Sequence, residues 1–565
     1  MIRVTQFERL LIDRRVCSRI FENSFDLWSE AGVDTVLGER CFDWTRFSFP
    51  DTIDALPLLP NASTLVLVGM GGATLSATAY ECVSHRSSGP SLHQLSSTAP
   101  ESLAYYLAVP PREDCHFVIA SKSGETLETL VMAESLFEHE NSPQKFTVIT
   151  DPRQSTLREW AFSKGIRTLN SDPGVLGRFS GVCSLALIPT AMLGIDLTTL
   201  ESTRNNFVKS VIVDTGEVSN QVHRLAAELA LASLNGGELQ IDAPHRLLPV
   251  ARWIEQIVAE SLGKAGLGVL PTVNCRDGEL DRSGEIRVCV PATEQEFRFE
   301  YCERGICSAS LARIFLTWQT AVSMAAYLIG VDPYSQPELE EFKLKGLDCE
   351  NCGVVRLAAD INLPFQNVIK IDSEYLFQMA ADFADDLKSS LRINDYIVLF
   401  AYVNPTAETE AELANFAQLL ESLFSGYQVR VVFNFGPQYL HSTGQFHKAK
   451  VNAGITRELV TEKKVNQLDW LRSQNRLTDV SFDDKALNTG HFLFITADDT
   501  CDFDIPGHPF TFGWLIKRQA QLDAKALSRS DQFEQEAPSL VKCSTDVVDS
   551  LQQLGAVLRS LRKIN

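Results

Sequence analysis

The sequence of 565 residues lacks any apolar stretch suited to a membrane-spanning helix. The longest candidate, residues 181–197, falls short of the roughly 20 residues needed, and Pro189 and small polar residues interrupt it. The first residues, Met1–Gln6, have no apolar core behind their charge, so no secretory signal is expected. We therefore expect a cytoplasmic protein.

Basic residues are in the minority, with 51 Lys and Arg against 72 Asp and Glu and a net charge of −21. This balance argues against nucleic-acid or membrane partners, although a local basic pocket can still bind a small anion. The 13 cysteines are scattered without the spacing of a disulfide framework, which favours free thiols. Cys349 and Cys352 form a lone CxxC motif, for which a solvated loop is favoured over a zinc or redox site. Neither a metal nor a cofactor is expected.

The chain does contain a regular alternation of apolar strands, loops and helices. Residues 65–68, 116–120 and 145–150 predict strands, and helical patterns follow the first two from residue 75 and through residue 137. Alternation of this kind predicts a parallel sheet with helices on its faces. The strands are continuous apolar runs, as is typical of sheets buried on both sides. The predicted fold class is therefore α/β, with doubly wound parallel sheets.

The alternation restarts twice, which predicts four segments. These are a helical N-terminal segment (1–60), a first α/β domain (61–212), a second (213–345) and a C-terminal α/β extension (346–565). The second α/β domain contains a helix around residue 255, a strand at 286–290 and a helix at 311–330. The extension has strands at 397–400, 429–433 and 492–495 and a helix at 407–424, then a polar insertion or loop at 456–488. Residues 539–562 predict a single amphipathic helix.

Two loops at the ends of predicted strands are candidates for ligand binding. Gly69–Ala73 is rich in glycine, which allows tight turns and close approach of the backbone to a ligand, although a packing turn is an alternative. Ser121–Thr126 has three hydroxyls just before a helix, where free N–H groups and the helix dipole favour an anion; a simple capping cluster is the alternative. Both loops lie at the carboxyl ends of strands, which predicts a ligand crevice.

Five motifs follow one another in the order found in the phosphoglucose isomerases, members of the sugar isomerase (SIS) fold group, and the sequence resembles that family from about residue 60 to 530. The motifs are Gly69–Gly72, Ser121–Thr129, Gly177–Ser180, Glu260–Lys264 and Asp332–Pro337. In the tail, Tyr439–Lys448 and Pro509–Gly513 resemble the isomerase part of bifunctional transaldolase/phosphoglucose isomerases. The resemblance implies two SIS-type domains and interconversion of glucose 6-phosphate and fructose 6-phosphate with no cofactor. It is also compatible with a homodimer.

The resemblance also implies roles for individual residues. Glu260 would be the base that moves a proton between C2 and C1, and Arg178 would stabilise the enediolate. Lys343 aligns with a lysine that helps to open the sugar ring. The implied substrate and phosphate ligands are Gly71, Gly72, Ser121, Lys122, Ser123 and Thr126.

Some positions depart from the family pattern. Ala73 stands where relatives often have serine, and Glu125 where they have a small or hydroxylic residue. Arg313 falls near the position of a ring-opening histidine, a role for which His441 or His447 of the tail is an alternative. These departures keep a second hypothesis open, a sugar-phosphate-binding regulatory protein that has lost the chemistry.

Overall fold

A computed structural model shows three β-sheets with helices packed on them. It describes residues 4–24, 26–33, 43–46, 62–83, 89–110, 113–212, 220–276, 285–290, 295–300, 308–336, 365–393, 395–451, 465–467, 469–471, 473, 490–498, 501–527 and 538–564. Lys343, the Cys349–Cys352 motif and most of residues 456–488 lie outside the described residues, so the predictions made for them stay predictions. No described helix has the length and apolar character needed to cross a bilayer.

The first sheet is entirely parallel, with strand order β2-β1-β3-β4-β5. Among the described residues before it are three short α-helices, α1 (Val4–Asp13), α2 (Val16–Phe21) and α3 (Asp26–Glu30). The strands are β1 (Thr64–Gly69), β2 (Ser91–Leu95), β3 (Cys115–Ala120), β4 (Phe146–Thr150) and β5 (Arg167–Asn170). The helices of this unit are α4 (Gly72–Val83), α5 (Pro100–Leu107), α6 (Leu127–Glu140), α7 (Thr156–Ser163), α8 (Ser184–Met192) and α9 (Leu200–Val211). Every residue of β1, β3 and β4 is buried, as their continuous apolar runs predict.

The second sheet is mixed, with strand order β7-β6-β8-β9. Its strands are β6 (Glu238–Ala243), β7 (Leu270–Cys275), β8 (Glu285–Val290) and β9 (Gln295–Glu300), and its helices are α10 (Gln221–Leu234), α11 (Leu248–Leu262) and α12 (Ser308–Ile329). Strands β6 and β7 are parallel, whereas β8 pairs antiparallel with both β6 and β9. Only residues 291–294 separate β8 from β9, and a connection this short can join only antiparallel strands. The second unit therefore differs from the wholly parallel sheet expected.

The third sheet is again entirely parallel, with strand order β10-β14-β13-β11-β12. Its strands are β10 (Val368–Lys370), β11 (Tyr396–Tyr402), β12 (Arg430–Phe435), β13 (Gly490–Ala497) and β14 (Ser539–Cys543). Its helices are α13 (Leu376–Ser390), α14 (Ala407–Leu423), α15 (Gly444–Val451), α16 (Phe512–Leu527) and α17 (Val547–Ile564). The two parallel sheets confirm the α/β class, while the domain boundaries stay predictions.

The prediction of one helix over 539–562 is wrong at its start. Residues 539–543 form β14, which lies between β10 and β13, and the helix begins only at Val547. Two apolar residues, Leu540 and Val541, are buried within the sheet, and such a short run fits a strand or a helix equally well by pattern. The chain turns into the helix at Asp546, whose carboxylate accepts a hydrogen bond from the N–H of Asp549.

The cores show how the units are held together. Leu65 and Leu67 of β1 face a large core that also contains residues of the N-terminal helices and of the second unit, including Trp253. Val66 and Val68 face a separate core on the opposite side of the first sheet. Burial on both sides holds the carboxyl ends of β1 and β3 rigidly beside each other, and the candidate site lies at these ends.

Candidate active site

The loop Ser121–Thr126 turns sharply between β3 and α6 and is held by its own hydroxyl groups. Ser121 Oγ accepts a hydrogen bond from the N–H of Gly124 at 3.2 Å and donates one to Thr126 Oγ1 at 3.2 Å. Ser123 Oγ accepts the N–H of Glu125 at 3.1 Å. Gly124 has φ +70°, the left-handed region that favours glycine. The loop therefore presents hydroxyls and the start of α6 at one end of the sheet.

Lys122 braces this loop from behind. Its ammonium group lies 2.6 Å from Asp151 Oδ1 and 2.8 Å from the carbonyl oxygen of Asp172, and both contacts lead to segments that follow β4 and β5. Burial lowers the pKa of Lys122, and the charge of Asp151 opposes that effect. The predicted phosphate ligand is thus engaged with a carboxylate, and it ties the loop to the neighbouring strands.

Glu125 is hydrogen-bonded to the start of a different helix from the one that it precedes. Its carboxylate accepts hydrogen bonds from the backbone N–H of Thr156 at 2.8 Å and from the Thr156 hydroxyl at 2.6 Å. Thr156 is the first residue of α7, so the carboxylate satisfies a free donor at the positive end of that helix. This capping contact explains a carboxylate in an otherwise hydroxyl-rich loop.

The glycine loop is where three segments approach closely. A Cβ atom on Gly71, which has φ +56°, would lie 2.3 Å from the carbonyl oxygen of His441. A Cβ atom on Gly72 would lie 2.3 Å from the carbonyl oxygen of Gly177 and 2.8 Å from the backbone nitrogen of Arg178. Only glycine permits these approaches without displacement of backbone. The loop therefore joins the Arg178 turn to a loop of the third unit.

Arg178 and Glu260 form a buried ion pair beside this junction. Both side chains are almost fully buried, and Arg178 Nη1 lies 3.1 Å from Glu260 Oε2. Arg178 also donates to Ser261 Oγ at 3.0 Å and to the carbonyl oxygens of Pro333 at 2.6 Å and Ser335 at 3.2 Å. The guanidinium is held in one orientation by four partners, so its charge is fixed next to the carboxylate. The structure thus brings two of the three predicted catalytic residues into contact.

Two glutamines, to which the sequence analysis gave no role, orient the Glu260 carboxylate. Gln336 Nε2 donates to Glu260 Oε2 at 2.5 Å, and Gln256 Nε2 donates to Glu260 Oε1 at 3.1 Å. Gln256 Nε2 also lies 2.7 Å from the carbonyl oxygen of His441. Both neighbours of this atom are acceptors, which identifies it as the NH₂ group of the amide. Gln256 stands one helical turn before Glu260, a spacing visible in the sequence.

The amide orientation of Gln256 leaves its carbonyl oxygen, Oε1, buried and without a hydrogen-bond partner among the described residues. A buried acceptor without a partner costs about 1–3 kcal/mol, and a ligand hydroxyl would remove that cost. The candidate site therefore has an oriented acceptor beside the Glu260 carboxylate.

Of the two tail histidines, His441 lies at the site and His447 does not. His441 Nε2 lies 3.7 Å from Glu128 Oε2, and Glu128 stands at the start of α6 just after the hydroxyl loop. His447 is buried among aromatic rings, and this burial lowers its pKa to about 3. Arg313, at the position aligned with the family histidine, is exposed on α12. A carboxylate–imidazole pair thus stands between the first and third units.

Fold and site together define an α/β protein with parallel sheets. Its candidate site brings together a hydroxyl loop, a glycine loop, a buried carboxylate–guanidinium pair and a histidine. No family model matches the chain. The chain is 30% identical to the glucose-6-phosphate isomerase of Rubrobacter xylanophilus over 231 residues, 37% of this chain and 52% of that protein. It is 24% identical to the glucose-6-phosphate isomerase of Heliobacterium modesticaldum over 373 residues, which are 53% of this chain and 83% of that protein.

Among solved structures, a glucose-6-phosphate isomerase from Chlamydia trachomatis superposes with a TM-score of 0.43 and 14% identity, over 60% of this chain and 83% of that one. The chain spans about half the length of the first curated relatives it matches. These relatives support the phosphoglucose isomerase family at modest identity and over part of the chain.

Proposed function

We propose that this protein is an aldose–ketose isomerase that interconverts glucose 6-phosphate and fructose 6-phosphate through an enediolate, with Glu260 as the base. The observation that carries the proposal is the buried Glu260–Arg178 pair, since a fixed carboxylate next to a fixed cation is what this proton transfer requires. The names of the relatives are consistent with it. Neither the base nor the cation needs a metal or cofactor for this chemistry.

In the proposed reaction, Glu260 removes the proton from C2 of the open-chain aldose and returns it to C1. The proton of the C2 hydroxyl passes through water to the C1 oxygen, so that the aldehyde becomes a hydroxyl and C2 becomes the ketone. The enediolate oxygen that gains charge faces Arg178, whose guanidinium stays protonated throughout. Gln256 and Gln336 hold the carboxylate with its two oxygens in defined positions, and Gln256 Oε1 accepts a sugar hydroxyl. Each residue thus holds or moves a proton at a known atom.

The phosphate group is proposed to lie at the start of α6. Ser123 and Thr126 offer hydroxyl donors there, and Ser121 orients the Thr126 hydroxyl by donating to it. The first N–H groups of the helix offer further donors. The backbone of Gly71 and Gly72 closes the pocket on the side of the sugar. Lys122 contributes positive charge from behind the loop.

Ring opening is assigned to His441, with Glu128 as the carboxylate that orients it. The imidazolium donates a proton to the ring oxygen as the bond from the anomeric carbon to that oxygen breaks. The anomeric hydroxyl loses its proton through water to the imidazole that results, so no net proton is consumed. Lys343, which the resemblance places in the same step, lies outside the described residues.

A coupled assay tests the proposal: fructose 6-phosphate is supplied to the purified chain and formation of glucose 6-phosphate is followed. Turnover supports the isomerase, and binding of the sugar phosphate without turnover would support the regulatory alternative instead. The likeness to bifunctional transaldolase/isomerases, the cytoplasmic location and the homodimer stay predictions.

A further inference from the structure

A glutamine of the third unit reaches across to the first unit at the site. Gln519, on α16, donates from Nε2 to Glu128 Oε1 at 2.6 Å. The hydroxyl of Thr98 donates to Gln519 Oε1 at 3.5 Å. A carboxylate oxygen accepts only donors, so the NH₂ group of the amide must face Glu128 and its oxygen must face Thr98. The Gln519 side chain is thus oriented at both ends.

Glu128 lies between two residues of the third unit. Its Oε1 takes the hydrogen bond from Gln519, and its Oε2 lies 3.7 Å from His441 Nε2. The side chains of Glu128 and His441 are 8% and 17% exposed, so water contributes little to holding them. With Oε1 held by the amide, rotation of the carboxylate is restricted, and Oε2 stays directed at the imidazole.

We infer that Gln519 is a positioning residue for ring opening, acting through Glu128 on His441. The inference rests on the proposed function, because His441 opens a ring only if the substrate is a cyclic sugar. It gives the third unit two parts in the reaction: the histidine itself and the amide that holds the partner of that histidine. Proton transfer at C2 is carried out by Glu260, whose carboxylate is hydrogen-bonded to Arg178, Gln256 and Gln336. That step should therefore not depend on Gln519.

A purely structural role for Gln519 leads to a different expectation. If the amide only satisfied a buried carboxylate, its loss would destabilise the fold and affect every substrate alike. A positioning role instead affects cyclic substrates and spares those that cannot close a ring. The compound 5-deoxyfructose 6-phosphate is such a substrate, since it lacks the C5 hydroxyl that forms the furanose ring and its C6 oxygen carries the phosphate.

The experiment compares turnover of fructose 6-phosphate and of 5-deoxyfructose 6-phosphate by the wild-type chain, Gln519→Leu and Gln519→Glu. Gln521→Leu is the matched control on the same helix, because Gln521 accepts a local hydrogen bond from Arg518 at 3.1 Å and not one that reaches Glu128. We expect kcat for fructose 6-phosphate to fall about 10- to 100-fold in both Gln519 variants, as for a misplaced catalytic group. Turnover of the 5-deoxy compound should stay within about threefold, and the control should resemble wild type on both substrates.

A second measurement tests whether Gln519 acts through His441. In a His441→Asn background, Gln519→Leu should cause no further loss with fructose 6-phosphate, because the residue through which it acts is gone. Equal losses on both substrates, or a further loss in the His441→Asn background, would overturn the inference while leaving the isomerase intact. A wild-type chain that turns over neither substrate would overturn the proposed function and this inference with it.

Discussion

Replacing Glu260 with glutamine removes the proposed base and also one charge of a buried pair. Oε2 of Glu260 accepts hydrogen bonds from Arg178 at 3.1 Å and Gln336 at 2.5 Å, and Oε1 accepts one from Gln256 at 3.1 Å. Both oxygens are therefore acceptors, whereas a glutamine amide offers one acceptor oxygen and one NH₂ group. In either orientation of the new amide, a donor faces a donor.

The cost to stability follows from these contacts. Loss of one partner of a buried ion pair costs about 3–5 kcal/mol. Arg178 keeps its bonds to Ser261, Pro333 and Ser335, so we expect a decrease in the free energy of unfolding of about 3 kcal/mol, at the lower end of that range. Removing both charges, with Arg178→Met and Glu260→Gln together, should cost less than the sum of the single changes.

The effect on catalysis is separate from the effect on stability. Loss of a general base lowers turnover by about 10²- to 10⁴-fold. The assay is the coupled rate of fructose 6-phosphate conversion, at a temperature where circular dichroism shows the variant folded, with affinity for the sugar phosphate measured by calorimetry. Glu255→Gln is the matched control, because Glu255 is buried on the same helix and also pairs with an arginine, Arg252, at 3.2 Å.

The control should lose stability and keep its turnover within about threefold, since Glu255 is not among the groups that hold Arg178 or the Glu260 carboxylate. Wild-type turnover in folded Glu260→Gln would refute the assignment of the base. So would a Glu255→Gln variant that loses as much turnover as Glu260→Gln, because the loss would then reflect damage to α11. Additive stability losses in the double variant would show that the two charges are not coupled.

Three further predictions concern the loop and the buried histidine. Changing Ser121, Ser123 and Thr126 together to alanine removes the Ser123 and Thr126 donors and the Ser121 hydroxyl that orients Thr126. Hydrogen bonds to a charged group are worth about 1.5–3 kcal/mol each, so affinity for glucose 6-phosphate should fall at least 100-fold by calorimetry while affinity for glucose barely moves. Equal weakening of both would exclude a phosphate site. Glu125→Thr should lower the free energy of unfolding by about 1 kcal/mol, because the contact with the start of α7 is lost. The affinity for glucose 6-phosphate should change by less than about threefold. A tenfold gain in that affinity would mean that the carboxylate opposes the ligand. Because burial lowers the pKa of His447 from 6.5 to about 3, the unfolded chain takes up this proton at higher pH than the folded chain. The stability that the neutral His447 side chain contributes is complete above about pH 6.5 and falls by about 1.4 kcal/mol per pH unit below it. Urea unfolding at pH 7 and pH 5 should therefore show a smaller decrease in the free energy of unfolding for His447→Gln than for wild type. An equal decrease in both would contradict this.

Local features of the sequence were sufficient to predict the strands and the loops that follow them. The continuous apolar runs predicted β1, β3 and β4 as buried parallel strands, and the glycines and hydroxyls marked the turns after β1 and β3. Such features depend on residues close together in the chain, so a single sequence shows them. The same approach fails for residues 539–543, because a short apolar run beside an amphipathic helix has the same pattern in either state.

The assembly of the site depends on contacts that no local pattern records. Gln256 and His441 are 185 positions apart, and their hydrogen bond exists only because the third unit packs against α11. The direction of Glu125 was likewise decided by α7, a helix that the residue does not belong to. The sequence by itself determined which residues could do chemistry. Tertiary structure decided which of them meet, because the free energy that holds each side chain in place comes from partners far away in the chain.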